Sequence, residues 1–181
     1  MRTSIVVLTL SVLAPFGLAY GAENHSSHAS VSNQQTAAVA DLQPASGSKV
    51  SGSVSFQRES DKKVRVTAHL TGLTPGKHGI HIHEKGDCGA PDASSAGPHY
   101  NPTGHPHGAP SAEHHMGDLG NIEAGADGTG HLDLVVDFID LDGPNSVIGK
   151  AVIVHAGQDD LTSQPSGNSG ARVACGVIRK Q

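Results

Sequence analysis

The sequence predicts an all-β domain of antiparallel strands closed as a sandwich or barrel, and three observations carry that reading. Short runs of alternating apolar and polar residues recur from position 37 to the end of the chain. Twenty-three glycines and ten prolines punctuate these runs, enough for many turns and too few for a low-complexity chain. No stretch of helical length repeats its apolar residues every 3.6 positions.

The first segment is not part of that domain. Arg2 precedes an apolar run from Ile5 to Leu18, followed by Ala19-Tyr20-Gly21-Ala22. A positive start, a short apolar stretch and small residues read as a secretory signal over residues 1–21, cut after Gly21. A run of about 14 residues is too short to cross a bilayer comfortably, and no second apolar run follows. The mature chain is therefore expected to be exported, periplasmic or alternatively secreted, without stable membrane insertion. No cysteine lies near the cleavage point, so no lipid anchor is expected. Residues 22–36, polar and without period, read as a flexible leader, and residues 37–181 as one domain.

Within the domain a first strand is expected near Ala37 to Leu42. Val50, Gly52, Val54 and Phe56 share one face of the next, and Val64, Val66, Ala68 and Leu70 one face of the third. Ile80 and Ile82 then interleave with His81 and His83. A fifth strand is expected near Leu119 to Ala124, and a sixth carries Leu132, Leu134, Val136 and Phe138. The run 151–154 and the run 173–178 complete eight strands. Two connections, about Glu84 to Asp118 and Ala156 to Ala171, are too long for hairpin turns, and long loops in compact domains are usually functional.

Composition narrows the chemistry. Thirteen histidines outnumber the twelve lysines and arginines, and the net charge is -5 with histidine neutral. Removing residues 1–21 takes away Arg2 and no acid, which leaves the mature chain at -6. A negative chain argues against a nucleic-acid partner, which needs a basic patch. With no tryptophan, two tyrosines and three phenylalanines, the chain points away from an aromatic ligand pocket and towards metal or proton chemistry.

The histidines are placed to act together. His81 and His83 are two residues apart on a strand, so both imidazoles project to one face of the sheet. His99, His105, His107, His114 and His115 follow in the first long loop, and His155 ends another strand. Scattered surface histidines would not concentrate in this way, so metal binding is expected. His115 and Asp118 put an imidazole and a carboxylate three residues apart, a donor set that suits closed tetrahedral Zn²⁺. An all-imidazole set from the strand pair and a distant strand end suits a copper ion that changes oxidation state.

Export bears on Cys88 and Cys175, the only cysteines. In an oxidising compartment such a pair more often forms a disulfide than two buried thiols. A bridge closing this long a loop would contribute about 4–5 kcal/mol in the chain-entropy model.

The motifs Gly79-Ile80-His81-Ile82-His83-Glu84-Lys85-Gly86-Asp87-Cys88, Ser95-Ala96-Gly97-Pro98-His99-Tyr100-Asn101-Pro102, His107-Gly108-Ala109-Pro110, His115-Met116-Gly117-Asp118-Leu119-Gly120-Asn121 and Gly167-Asn168-Ser169-Gly170-Ala171-Arg172-Val173-Ala174-Cys175-Gly176-Val177-Ile178 stand in order. Together they resemble copper/zinc superoxide dismutases over nearly all of positions 37–181. With the signal-like start and Asp159 to Pro165, the chain is most similar to the exported bacterial members.

That resemblance implies a flattened eight-stranded Greek-key β-barrel with two long functional loops. It implies one copper per subunit on His81, His83, His99 and His155, and one zinc per subunit on His99, His107, His115 and Asp118, with His99 bridging. Asp159 matches a carboxylate that hydrogen-bonds His81 and His107, Arg172 a cation that docks superoxide beside copper, and Cys88 with Cys175 the family disulfide. The implied reaction converts superoxide to dioxygen and hydrogen peroxide. Family members occur as monomers and as pairs through different surfaces, so a homodimer stays open. His105 and His114 are expected to be loop residues, and His69, His78 and His131 ordinary strand or turn residues. No lysine lies between His155 and Arg172, so the lysines that steer substrate in relatives lack evident counterparts. A copper-carrying module would not need the zinc set, His99 or Arg172, and a zinc-stabilised structural domain would not need His81, His83 or His155.

Overall fold

The computed structural model describes residues 37–181, and the expected signal segment 1–21 and leader 22–36 lie outside the described residues. Eight strands form the wall: β1 (Ala37–Pro44), β2 (Ser51–Ser60), β3 (Lys63–Thr71), β4 (Gly76–His83), β5 (Asp118–Ala124), β6 (Gly130–Val136), β7 (Ala151–His155) and β8 (Arg172–Val177). All pairings between them are antiparallel, in the order β2-β3-β6-β5-β4-β7-β8-β1, and β1 also pairs with β2. That last pairing closes the sheet and leaves no open edge, the solution all-β domains use against edge-to-edge association.

Alternation decides what each strand buries. Val54 and Phe56 of β2, Val64, Val66, Ala68 and Leu70 of β3, and Ile80 and Ile82 of β4 meet Ile122, Val152, Val154 and Ala174 in one buried cluster inside the barrel. A smaller cluster lies on the outer face of β7 and β8, where Ile153, Ala151 and Cys175 are covered by Ala93, Ala96 and Cys88 of the first long loop. The Cys88–Cys175 disulfide ties that loop to β8.

Two details differ from the sequence expectation. β6 stops at Val136, whose pairing with Val64 is the last of the β3–β6 ladder. Phe138 still packs against the core from outside the ladder. The last run is split: Ile178 pairs its backbone with Gly149 and Lys150, at 2.9 Å each, and Arg179–Lys180 then adds a two-residue β9 to β1.

The long connections are residues 84–117 and 156–171, as expected. The first holds one 3-10 turn, Ser94–Ala96. Among the described residues no helix is long and apolar enough to cross a membrane.

Candidate metal centre

On β4 the two isoleucines fill the barrel, so the opposite face of the strand presents His81 and His83 outward, beneath the long loops. Register then recruits their partners. Between Gly79 and His81 the β4–β5 pairing shifts, which sets His81 opposite Asp118. A second shift between Val154 and His155 sets His155 opposite Arg172. Bulges of this kind re-aim side chains beside functional sites. The first loop runs back along the end of β4, with Tyr100 N–H donating to the Ile82 carbonyl at 2.8 Å, and this places His99 across from His83.

The result is two adjoining donor groups that share one ring. His81, His83, His99 and His155 form the first, and His99, His107, His115 and Asp118 the second. All seven residues are buried. His81 stacks on His99 with ring centroids 4.0 Å apart.

Four of the rings are fixed by one nitrogen and left open at the other. His83 Nδ1–H donates to the Gly97 carbonyl at 2.7 Å, and His155 Nδ1–H to the Gly170 carbonyl at 3.0 Å. Asp159 accepts from His81 Nε2 at 2.7 Å through one oxygen and from His107 Nε2 at 2.9 Å through the other. The buried nitrogens without a hydrogen-bond partner are then His81 Nδ1, His83 Nε2, His99 Nε2, His107 Nδ1 and His155 Nε2. Buried polar atoms are normally satisfied, so five orphans aimed into two adjoining places, four into one and His107 Nδ1 into the other, call for ligands.

A metal fits both places. Around Asp118, His99 Nδ1 lies 2.8 Å and His115 Nδ1 3.3 Å from one carboxylate oxygen, and His107 Nδ1 lies 3.0 Å from the other. His115 Nδ1 is 3.4 Å from His99 Nδ1. Donors held at about 2.0–2.1 Å from one centre in a tetrahedron lie about 3.3 Å apart, so this spacing suits Zn²⁺. Four imidazole nitrogens suit copper.

Burial sets the protonation states. It drives His83 down to about 2 and His155 to about 4, with His99 adding to the effect on both, and it holds His81 well below the ordinary histidine range. Metal ligands must be proton-free, and these rings are. Burial alone would raise Asp118, but hydrogen bonding from His99 and the neighbouring imidazoles outweigh it and keep the carboxyl ionised.

Above the four-histidine group a cavity of about 520 Å³ is lined by His83, His155, Glu84, Ser166 and Arg172, among others. Arg172 is half-buried and forked: its two terminal nitrogens donate to the Ala93 and Gly97 carbonyls at 2.7 Å each. Gly97 therefore anchors both the guanidinium and the His83 ring.

Some supporting residues carry no local sequence signal. Asn121 clamps the Asp159 backbone, donating to its carbonyl at 2.9 Å and accepting from its N–H at 2.8 Å. The Gln164 amide does the same for His107, at 2.9 Å in each direction. His78 Nδ1 lies 2.8 Å from the His155 carbonyl. His105 and His114 stand outside both groups: His105 bonds Glu113 at 2.7 Å, and His114 packs edge-on against Phe138.

A closed antiparallel barrel carrying an all-imidazole group that shares one histidine with an imidazole–carboxylate group defines a two-metal redox protein. Residues 50–178 match the family model for copper/zinc superoxide dismutase. The "Superoxide dismutase [Cu-Zn]" of Onchocerca volvulus is 48% identical over 143 residues, covering 73% of this chain and 90% of that protein. A solved structure titled "Crystal Structure Analysis of the clock protein EA4" is similar, with a TM-score of 0.73 and 40% identity, covering 80% of this chain and 94% of the other. The chain belongs to the copper/zinc superoxide dismutase family. Its activity is the disproportionation of superoxide to dioxygen and hydrogen peroxide, and its metals are copper and zinc.

Proposed function

We propose that His81 Nδ1 and the Nε2 atoms of His83, His99 and His155 hold copper, and that the Nδ1 atoms of His99, His107 and His115 hold zinc with Asp118. The five orphaned buried nitrogens carry this assignment: four point to the copper place and one to the zinc place. His99, open at Nε2 and turned to Asp118 at Nδ1, is the bridge.

Copper supplies the one-electron change that takes an electron from one superoxide and gives it to a second. The protein's own part is positioning and proton supply. Arg172, fixed by two carbonyls, offers a preoriented cation at the cavity wall, where a small anion gains charge-assisted hydrogen bonds. His99 Nε2 would give up copper and take a proton from solvent when superoxide is oxidised, then give that proton to the second superoxide and return to copper. Water supplies the other proton, which balances two superoxide ions and two protons against one dioxygen and one hydrogen peroxide. Asp159 holds His81 and His107 in one tautomer and orientation, so that both present their Nδ1 atoms as lone-pair donors.

Substitution of His99 by alanine tests the bridge. Copper keeps His81, His83 and His155, so residual binding is expected, with an altered Cu(II) spectrum, weaker zinc binding and reduced turnover. A variant matching wild type in all three would remove His99 from its role.

Residues 1–21 direct export on this reading, supported by their charge and apolar pattern. N-terminal sequencing of the protein recovered from a periplasmic extract should begin at Ala22, and an intact Met1 there would contradict it.

A further inference from the structure

Outside the metal centre most of the described histidines are already engaged. His78 lies between the His155 carbonyl and Thr74, with one ring nitrogen against each, His105 bonds Glu113, and His114 bonds the His115 carbonyl. His69 and His131 are the exception. Both are exposed, and among the described residues neither ring makes a hydrogen bond.

They are also partners. One row of residues crosses the outer barrel wall from β2 to β4, each opposite the next: Ser53, His69, His131, Glu123 and Lys77. Residues directly opposite in antiparallel strands share a face, with Cβ atoms about 4.5–5.5 Å apart. The His69 and His131 rings meet edge to face with centroids 4.6 Å apart. Glu123, also exposed, lies on the far side of His131, and Asp127 sits in the β5–β6 turn near that ring, its carboxyl held below the usual range chiefly by the hydrogen bond from Thr129 N–H.

We propose that His69 and His131 form a surface site for a divalent transition-metal ion, with Cu(II) bound ahead of Zn(II), separate from the metal centre. Two neutral imidazoles on a rigid wall need only rotate to chelate one ion, because the strand pairing has already fixed their separation. Imidazole suits copper and zinc, and the general order of affinities puts copper first. Glu123 and Asp127 add negative potential next to the pair, which favours a cation. The remaining coordination positions face solvent and would be filled by water.

The alternative is that the two rings only stack and stabilise the sheet. The test separates the two readings on protein already loaded with its native copper and zinc, in a His25→Ala/His28→Ala background that removes the leader's imidazoles. Calorimetric titration with Cu(II) should show one additional equivalent, with a paramagnetic resonance signal distinct from that of the native copper. His69→Ala and His131→Ala should each abolish it, and Glu123→Gln should weaken it severalfold, while superoxide turnover stays at the wild-type level throughout. No additional equivalent, or one that survives when His69→Ala and His131→Ala are combined, would overturn the site and leave only the stacking contact. If an alanine variant fails to fold, Cu(II) added to the zinc-only wild-type chain after its copper place is filled with Cu(I) gives the same answer by NMR. The ring resonances of His69 and His131 should then broaden first, and broadening elsewhere with these two sharp would also overturn the proposal.

Discussion

Arg172 and Asp159 show how much single side chains do here. Arg172 is the only lysine or arginine between Lys150 and Arg179, and the chain carries a net charge of -5 with histidine neutral, so on the proposed role the global field opposes an anionic substrate that this local cation would attract. The fork to Ala93 and Gly97 needs two separated N–H groups, which a lysine ammonium cannot present in the same geometry. Arg172→Lys should therefore keep part of the turnover, Arg172→Ala should lose more and Arg172→Glu most, with metal content unchanged in each. Stopped-flow turnover checks the order, and equal rates for the alanine and glutamate variants would take Arg172 off the substrate path. Asp159 accepts from two rings with two oxygens, and an amide offers only one acceptor. Asp159→Asn should weaken zinc binding about 10–100-fold, measured by competition with a chelator, while the chain still folds.

At the scale of elements, the strand that carries the site was legible and the parts that brace it were not. Period-two alternation places His81 and His83 on one face and Ile80 and Ile82 on the other, and nothing beyond the local sequence is needed to see it. The eight strands and both long loops follow from the same alternation and its interruptions. By contrast, Asn121 acts on Asp159, Gln164 on His107 and His78 on His155, across separations of 38, 57 and 77 residues. Pairings of that kind are set by topology and leave no local pattern. Gly167 belongs with them. At φ +65°, it lies so close to Asp159 that a Cβ would collide with the carboxylate and sit 2.7 Å from His107 Nε2. Gly167→Ala should cost about 1–3 kcal/mol from backbone strain and overpacking. It should also loosen zinc, because it displaces the carboxylate that orients His107. Thermal unfolding with and without chelator should show a larger loss in the metal-loaded form, and equal losses would make the effect purely one of packing.

The whole molecule carries a fixed penalty for assembling so many buried imidazoles, and pH exposes it. His83 and His155 are held at about 2 and about 4 by burial, against an ordinary value near 6.5. Below about 6.5 the unfolded chain binds protons at these rings and the folded chain does not, so acid favours unfolding. The metal-free protein should lose stability steadily from about pH 6.5 to pH 4, seen as a falling melting temperature after chelation. A melting temperature flat across that window would contradict the burial argument. The most direct test of the central claim is metal content measured together with superoxide turnover, on protein loaded with zinc, with copper, or with both. Two metal ions per chain in the centre, with turnover that appears only when copper is present, is the predicted result. A zinc-only protein that stays inactive after copper is added would contradict it.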